Sequence, residues 1–280
     1  MIIKKVLTLL AAILTMIGCN SQKKNAADAE GTAPKYLVVY YSQTGTTQQV
    51  AQEIARRLDA DTLRIDVEQP YSGTYDETIE RCKKEMSNGE LPKLKGFDTD
   101  FADYDVIFLG YPIWFGTYAL PMSSFIKSVD LAGKNVVPFC TFGSGGLAAS
   151  IDSLKKALPK AEIMPGYGVR TARISKAKSE IDRFLKENGY IEGKVEKLPE
   201  YSAQQPVTDA EADIFNAACG DYKFPLGTPV TVGKRRTSQG TDYKFTAQSK
   251  DAGGNVVEAV IYVTVDKGLN AKPEFTEMVR

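Results

Sequence analysis

The sequence predicts an α/β fold, a parallel sheet covered by helices on both faces, followed by a small α+β module. Three observations carry this. From Lys35 to Gly189 short apolar runs alternate with amphipathic helical stripes. The runs are apolar at successive positions, as strands buried on both faces must be. After Gly189 the pattern changes to one helix followed by alternating strands.

The run Tyr36–Tyr41 (YLVVYY) reads as the first buried strand. Val50, Ala51, Ile54, Ala55 and Leu58 then fall on one stripe of an amphipathic helix. Further strands are expected at Leu63–Val67, Val106–Gly110, Val136–Thr141 and Glu162–Val169. Helical stripes lie between them: Met122, Phe125, Ile126 and Val129, then Leu147, Ile151, Leu154 and Leu158. A last helix is expected from Ser175, burying Ile181, Phe184 and Leu185 and ending at Gly189. The connection Gln69–Phe97 is long, with a helix-like part at 78–86; such an insert is a binding loop or structural decoration.

Residues 191–206 carry two prolines and no periodicity, as a linker would. In the module at 207–280, Thr208 and Glu211 have the spacing of a capping box, opening a helix with Ile214, Phe215 and Ala218 on one face. Along 256–265, Val257, Ala259, Ile261, Val263 and Val265 alternate, and Asp251–Asn255 is the turn of a hairpin.

The chain has 280 residues, with 35 Lys and Arg against 35 Asp and Glu. No basic footprint for nucleic acid exists. Histidine is absent, which excludes histidine-dependent triads and histidine-rich zinc sites. Cysteines at 19, 82, 140 and 219 form no Cys-Xaa-Xaa-Cys pair, so neither a metal knuckle nor a dithiol motif is expected. Cys140, inside a strand, reads as a small core hydrophobe. Pairing of Cys82 with Cys219 is left open.

Lys4 and Lys5 lead into an apolar run, residues 6–18, too short to span a membrane comfortably. Gly18-Cys19 resembles the lipobox of bacterial lipoproteins, with Met16 in place of the usual leucine. The resemblance implies a signal peptide at 1–18, cleavage before Cys19, acylation of that cysteine, and a membrane held through the lipid anchor in the cell envelope. The alternative is an ordinary signal peptide or membrane anchor with an incidental cysteine. The polar, small residues that follow, up to 34, suit a tether.

Three segments carry candidate chemistry. Ser42-Gln43-Thr44-Gly45-Thr46-Thr47 stands where the first strand turns into a helix N-terminus, where free N–H groups favour an anion. It lacks the lysine of a nucleotide-triphosphate loop and the glycine pattern of a dinucleotide fold, which leaves a single terminal phosphate. The alternative is a polar turn with Thr46 as helix cap. The second segment, Gly110–Tyr118 (GYPIWFGTY), holds the single tryptophan, Trp114, for which core packing is the alternative. The third is Thr141–Gly146 (TFGSGG). All three leave the carboxyl ends of parallel strands, where open α/β sheets bind ligands. Aromatic and glycine-rich loops beside a phosphate site suit a planar ring.

With these motifs, residues 35–190 resemble the flavodoxin-like family, in particular members with a Pro-Ile-Trp loop and a Gly-Lys-Xaa-Val-Val-Pro-Phe-Cys-Thr strand, here Gly133–Thr141. The resemblance implies a five-stranded parallel sheet in the order 2-1-3-4-5 and FMN as cofactor. It places the FMN phosphate at Ser42, Thr44, Gly45, Thr46 and Thr47. One face of the isoalloxazine then lies under Pro112, Ile113, Trp114, Phe115 and Gly116. The pyrimidine edge runs along Thr141, Phe142, Gly143, Ser144, Gly145 and Gly146. The third loop offers no tyrosine to stack on the other ring face; Phe142 substitutes, or that face is open to a partner. The domain's balanced charge does not imply a basic redox partner, and donor and acceptor are not named by the sequence.

Residues 207–280 weakly resemble a cystatin-like fold. Protease-inhibiting cystatins carry Gln-Xaa-Val-Xaa-Gly at the first hairpin, where this chain has Arg236-Thr237-Ser238-Gln239-Gly240 and no tryptophan for the second, so inhibition is not implied. The expectation is an exported, lipid-anchored FMN protein that moves electrons, as carrier or oxidoreductase. The alternative is a non-catalytic module that uses the flavodoxin fold as a scaffold for a partner.

Overall fold

The computed structural model describes residues 33–220 and 222–280. Cys19, the expected signal peptide and nearly all of the tether lie outside them. The first sheet contains β1 (Tyr36–Tyr40), β2 (Asp61–Arg64), β3 (Val106–Trp114), the two-residue β4 (Thr117–Tyr118), β5 (Asn135–Phe142), β6 (Glu162–Ile163) and β7 (Tyr167–Arg170). β2, β1, β3 and β5 run side by side in parallel, and both β6 and β7 pair in parallel with β5. Taking β6 and β7 as the halves of one fifth strand, the order is the expected 2-1-3-4-5.

Helices α1 (Thr46–Leu58), α2 (Tyr75–Asn88), α3 (Leu120–Ser128), α4 (Leu147–Ala157) and α5 (Ala177–Glu187) connect the strands. The central strands β1, β3 and β5 are apolar at successive positions because each face has its own helical layer. Leu37 and Val39 join a core with Met122 and Phe125 of α3 and Leu154 of α4. Val38 and Tyr40, pointing the other way, pack with Val50 and Ile54 of α1 and Ile181 and Leu185 of α5.

Three boundaries depart from the sequence expectation. β2 begins and ends earlier, at the sheet edge, where Leu63 is its only part-buried residue. The fifth strand breaks at Met164–Gly166, next to Pro138 of β5, which brings no N–H to the ladder. β3 runs on through Trp114, so the aromatic segment is a hairpin rather than a loop.

The second sheet holds β8 (Gln205–Pro206), β9 (Thr228–Arg236), β10 (Gly240–Lys250), β11 (Val256–Asp266) and β12 (Glu274–Val279), antiparallel in the order β12-β11-β10-β9-β8. Helix α6 (Asp209–Cys219) covers it, with Phe215 edge-on to Phe245 at 5.2 Å. Its first turn carries the expected pairing: the Thr208 N–H and hydroxyl both donate to the Glu211 carboxylate at 2.9 Å. Ala259, Ile261 and Val263 face this core, whereas Val257, nearer the hairpin turn, is exposed. Residues 191–204 have no regular structure, yet the segment is tied to the second sheet. Ser202 exchanges bonds with Lys234, its N–H donating to the Lys234 carbonyl at 2.8 Å and its hydroxyl accepting from the Lys234 N–H at 3.0 Å.

Pro34–Arg280 form one compact unit in which the two sheets are packed together. Arg173 binds both Glu180 and Glu274, and Lys176 binds Asp266 at 2.6 Å. Cys82, Cys140 and Cys219 are buried and free; Cys82 sits in the first sheet's core and Cys219 in the second's. Among the described residues no helix is long and apolar enough to cross a membrane.

Candidate functional site

The loop after β1 divides its hydroxyls between structure and opening. Buried Ser42 caps the helix: its Oγ accepts from the N–H groups of Gly45 and Gln48, both at 3.2 Å. Gly45, with φ of 90°, holds the N-cap position that the alternative reading gives to Thr46, a backbone turn that favours glycine. Buried Thr47 shares a hydrogen bond of 2.8 Å with the hydroxyl of Thr141 and so ties the first loop to the third. Thr44 is exposed and Thr46 half-buried, and neither hydroxyl has a partner among the described residues. The N–H groups of Thr44, Thr46 and Thr47 are likewise unpaired there. A helix N-terminus with three open N–H groups and two open hydroxyls fits a phosphate. No atom lies within 4 Å of where a Gly45 Cβ would stand, so the approach is clear.

The loop is not without a cation. Arg64, at the end of β2, donates to the Ser42 carbonyl at 3.2 Å and to Gln48 Oε1 at 2.8 Å, while its Nε pairs with Asp66. Sequence reading missed Arg64, although a strand beside β1 necessarily delivers its carboxyl end to the same edge.

The hairpin β3–β4 turns at Phe115 and Gly116, whose φ values of 49° and 81° are both positive, as a tight two-residue hairpin turn requires. Trp114 packs edge-on against Tyr41 at 5.7 Å and Tyr71 at 5.0 Å. Tyr71 is itself fixed by a hydrogen bond to Glu85, and the Arg81 guanidinium lies 3.9 Å from its ring centre. Arg81 closes the group on Glu85 at 2.9 Å. The insert 69–97 therefore braces the aromatic hairpin from behind.

In the third loop Phe142 is only 4% exposed and belongs to the core, so it does not offer the stacking ring expected of it. Gly143 is exposed, and Ser144, Gly145 and Gly146 are half-buried. A Cβ on Gly146, whose φ is 122°, would stand 2.8 Å from Ile113 Cγ2, so the loop and the hairpin approach closely. The Arg170 guanidinium donates to the Gly143 carbonyl and to the Phe275 carbonyl, each at 2.7 Å.

A cavity of about 490 Å³ opens at this point. Ile113, Gly116 and Gly143–Gly146 are among the residues that line it, and so are Tyr75, Tyr222, Phe224, Glu277 and Met278. The last five were missed in the sequence, and four of them come from the second module. Pro112, Trp114, Phe115, Thr141 and Phe142 do not line it. Burial raises the Glu277 carboxyl pKa. Burial, with the Glu277 charge adding to it, pushes the Cys140 thiol well up, which keeps it a core hydrophobe.

A family model for flavodoxins matches residues 35–187. The chain belongs to the flavodoxin family. Among solved structures, a Bacteroides eggerthii protein assigned as a flavoprotein is 30% identical, with 55% of this chain and 97% of that one covered and a TM-score of 0.49. A Bacteroides uniformis protein similarly assigned is 30% identical over 54% of this chain and 99% of that one, TM-score 0.48. A Lactobacillus acidophilus flavoprotein solved with FMN is 21% identical over 55% of this chain and 100% of that one, TM-score 0.47. No curated protein matches the chain.

Proposed function

We propose that this flavodoxin binds FMN, transfers electrons through it, and does so in the cell envelope on a lipid anchor at Cys19. One observation carries the cofactor: the open N–H groups of Thr44, Thr46 and Thr47 and the open hydroxyls of Thr44 and Thr46 stand on a loop that the Thr47–Thr141 hydrogen bond ties to the glycine loop, which itself closes on Ile113 of the aromatic hairpin. A phosphate at the first loop would use the open groups of the helix N-terminus, with a planar ring between the other two. The FMN bound by the Lactobacillus acidophilus flavoprotein supports this reading. Bound FMN supplies one- and two-electron chemistry. The protein's part is to hold and orient it: the helix N-terminus and Arg64 compensate phosphate charge, and the braced hairpin fixes one side of the ring site.

The anchor is supported by Lys4, Lys5, the apolar run and Gly18-Cys19. The redox reading is tested by purifying the full chain and adding FMN to the apo-protein. A yellow protein with flavin absorbance, reversibly bleached by dithionite, is expected. A chain that stays colourless and takes up no FMN supports the non-catalytic scaffold instead.

A further inference from the structure

We propose that the C-terminal module is a wall of the FMN site, with Tyr222 and Phe224 covering the ring face that the third loop leaves bare. This rests on the FMN reading above and goes beyond it, because the cofactor site then spans both modules.

The first support is the aromatic supply. The third loop has no tyrosine, and Phe142 is spent in the core. Tyr222 and Phe224 line the same cavity as Ile113, Gly116 and the glycines. Tyr222 is rigidly held, its ring 5.4 Å from that of Phe275 and 5.4 Å from the Arg170 guanidinium. Its hydroxyl stands 3.9 Å from where a Gly143 Cβ would be. Phe224 meets Tyr222 edge-on at 6.0 Å and is otherwise 54% exposed.

The second support is where exposed aromatic surface occurs. Among the described residues the exposed aromatic side chains are Tyr75, Phe115 and Phe224. Tyr75 and Phe224 line this cavity, and Phe115 adjoins Gly116, which does. Two distant segments thus place exposed rings on this cavity, and the third exposed ring is the sequence neighbour of a lining residue. Apolar surface concentrated in this way marks a site for a ligand, and rings on its walls suit a planar one.

The third support is that the module is fastened to the third loop itself. The Met278 N–H donates to the Ser144 carbonyl at 2.6 Å. A Cβ on Gly145 would lie 2.0 Å from the Met278 carbonyl oxygen, so the loop is glycine where the other module touches it. The Arg170 guanidinium joins the Gly143 and Phe275 carbonyls. The wall is held in register with the loop that carries the ring edge.

The test titrates full-length apo-protein, wild type, Phe224→Ala and Tyr222→Ala, with FMN and with riboflavin, following flavin fluorescence. Phe224 is largely exposed, so its replacement leaves the fold in place. Loss of one aromatic contact should weaken binding about three- to tenfold. The loss should be equal for FMN and riboflavin, because the ring is what they share, and bound-flavin fluorescence should rise. Wild-type affinity and fluorescence in both variants overturns the proposal while leaving the FMN reading intact. A wild-type chain that binds neither flavin overturns both.

Discussion

The backbone N–H of Met278 donates to the carbonyl of Ser144 at 2.6 Å, joining strand β12 of the second sheet to the loop that follows β5 of the first. The third loop is therefore shaped from both sides. Gly145 answers to the C-terminal module.

Gly145→Ala should separate that contact, since the new Cβ would lie 2.0 Å from a backbone oxygen that has no rotamer to yield. Overpacking of this kind costs about 1–3 kcal/mol. Gly143→Ala, whose Cβ would meet nothing nearer than the Tyr222 hydroxyl at 3.9 Å, should be tolerated far better. Thermal melting of the two variants measures the difference, and equal midpoints would count against the modules being locked through Gly145.

Thr44→Ala removes an open hydroxyl at the helix N-terminus. A hydrogen bond to a charged group contributes about 1.5–3 kcal/mol, so FMN affinity should fall roughly ten- to a hundredfold. Riboflavin, without the phosphate, should bind more weakly to the wild type and barely respond to the change. Identical losses for both flavins would mean that the loop is only a helix start.

Arg64→Ala should weaken FMN but not riboflavin, and the weakening should shrink as salt rises, because Arg64 is part-exposed and acts by charge. A salt-independent effect would point to lost packing through the Ser42 carbonyl and Gln48 instead.

Glu277 carries a carboxyl pKa raised by burial. The folded state then holds its proton more tightly than the unfolded one, so stability present below the unfolded pKa is lost as pH rises through the folded value. Glu277→Gln should match the wild type in acid and exceed it at neutral and alkaline pH. Denaturant midpoints across that range decide it; a constant offset would show that ionisation of Glu277 plays no part.

For the anchor, intact-mass analysis of the native membrane fraction should find a chain beginning at acylated Cys19. A soluble mature chain cut at another position would sink it.

The sequence by itself determined the strands, their helices and the three loops at one sheet edge, because these follow from local regularities. Val38 and Val39 point to opposite layers whatever lies beyond them, and a Thr208–Glu211 cap spans three residues. Gly45 likewise announces a turn that other residues resist. Trp114 was ambiguous between ligand and core, and its packing was settled by Tyr71, from an insert with no periodic link to it. Arg64 gained its place on the loop after β1 from the pairing of β2 with β1. Residues 191–206 read as a divider because prolines and aperiodicity mark a linker, yet the modules they join are packed together. That contact belongs to the tertiary structure alone: Arg170 and Phe275 stand 105 positions apart, and no local pattern encodes their meeting. Periodicity and capping are written within a few residues, whereas the approach of one sheet to another depends on the shape both present once folded.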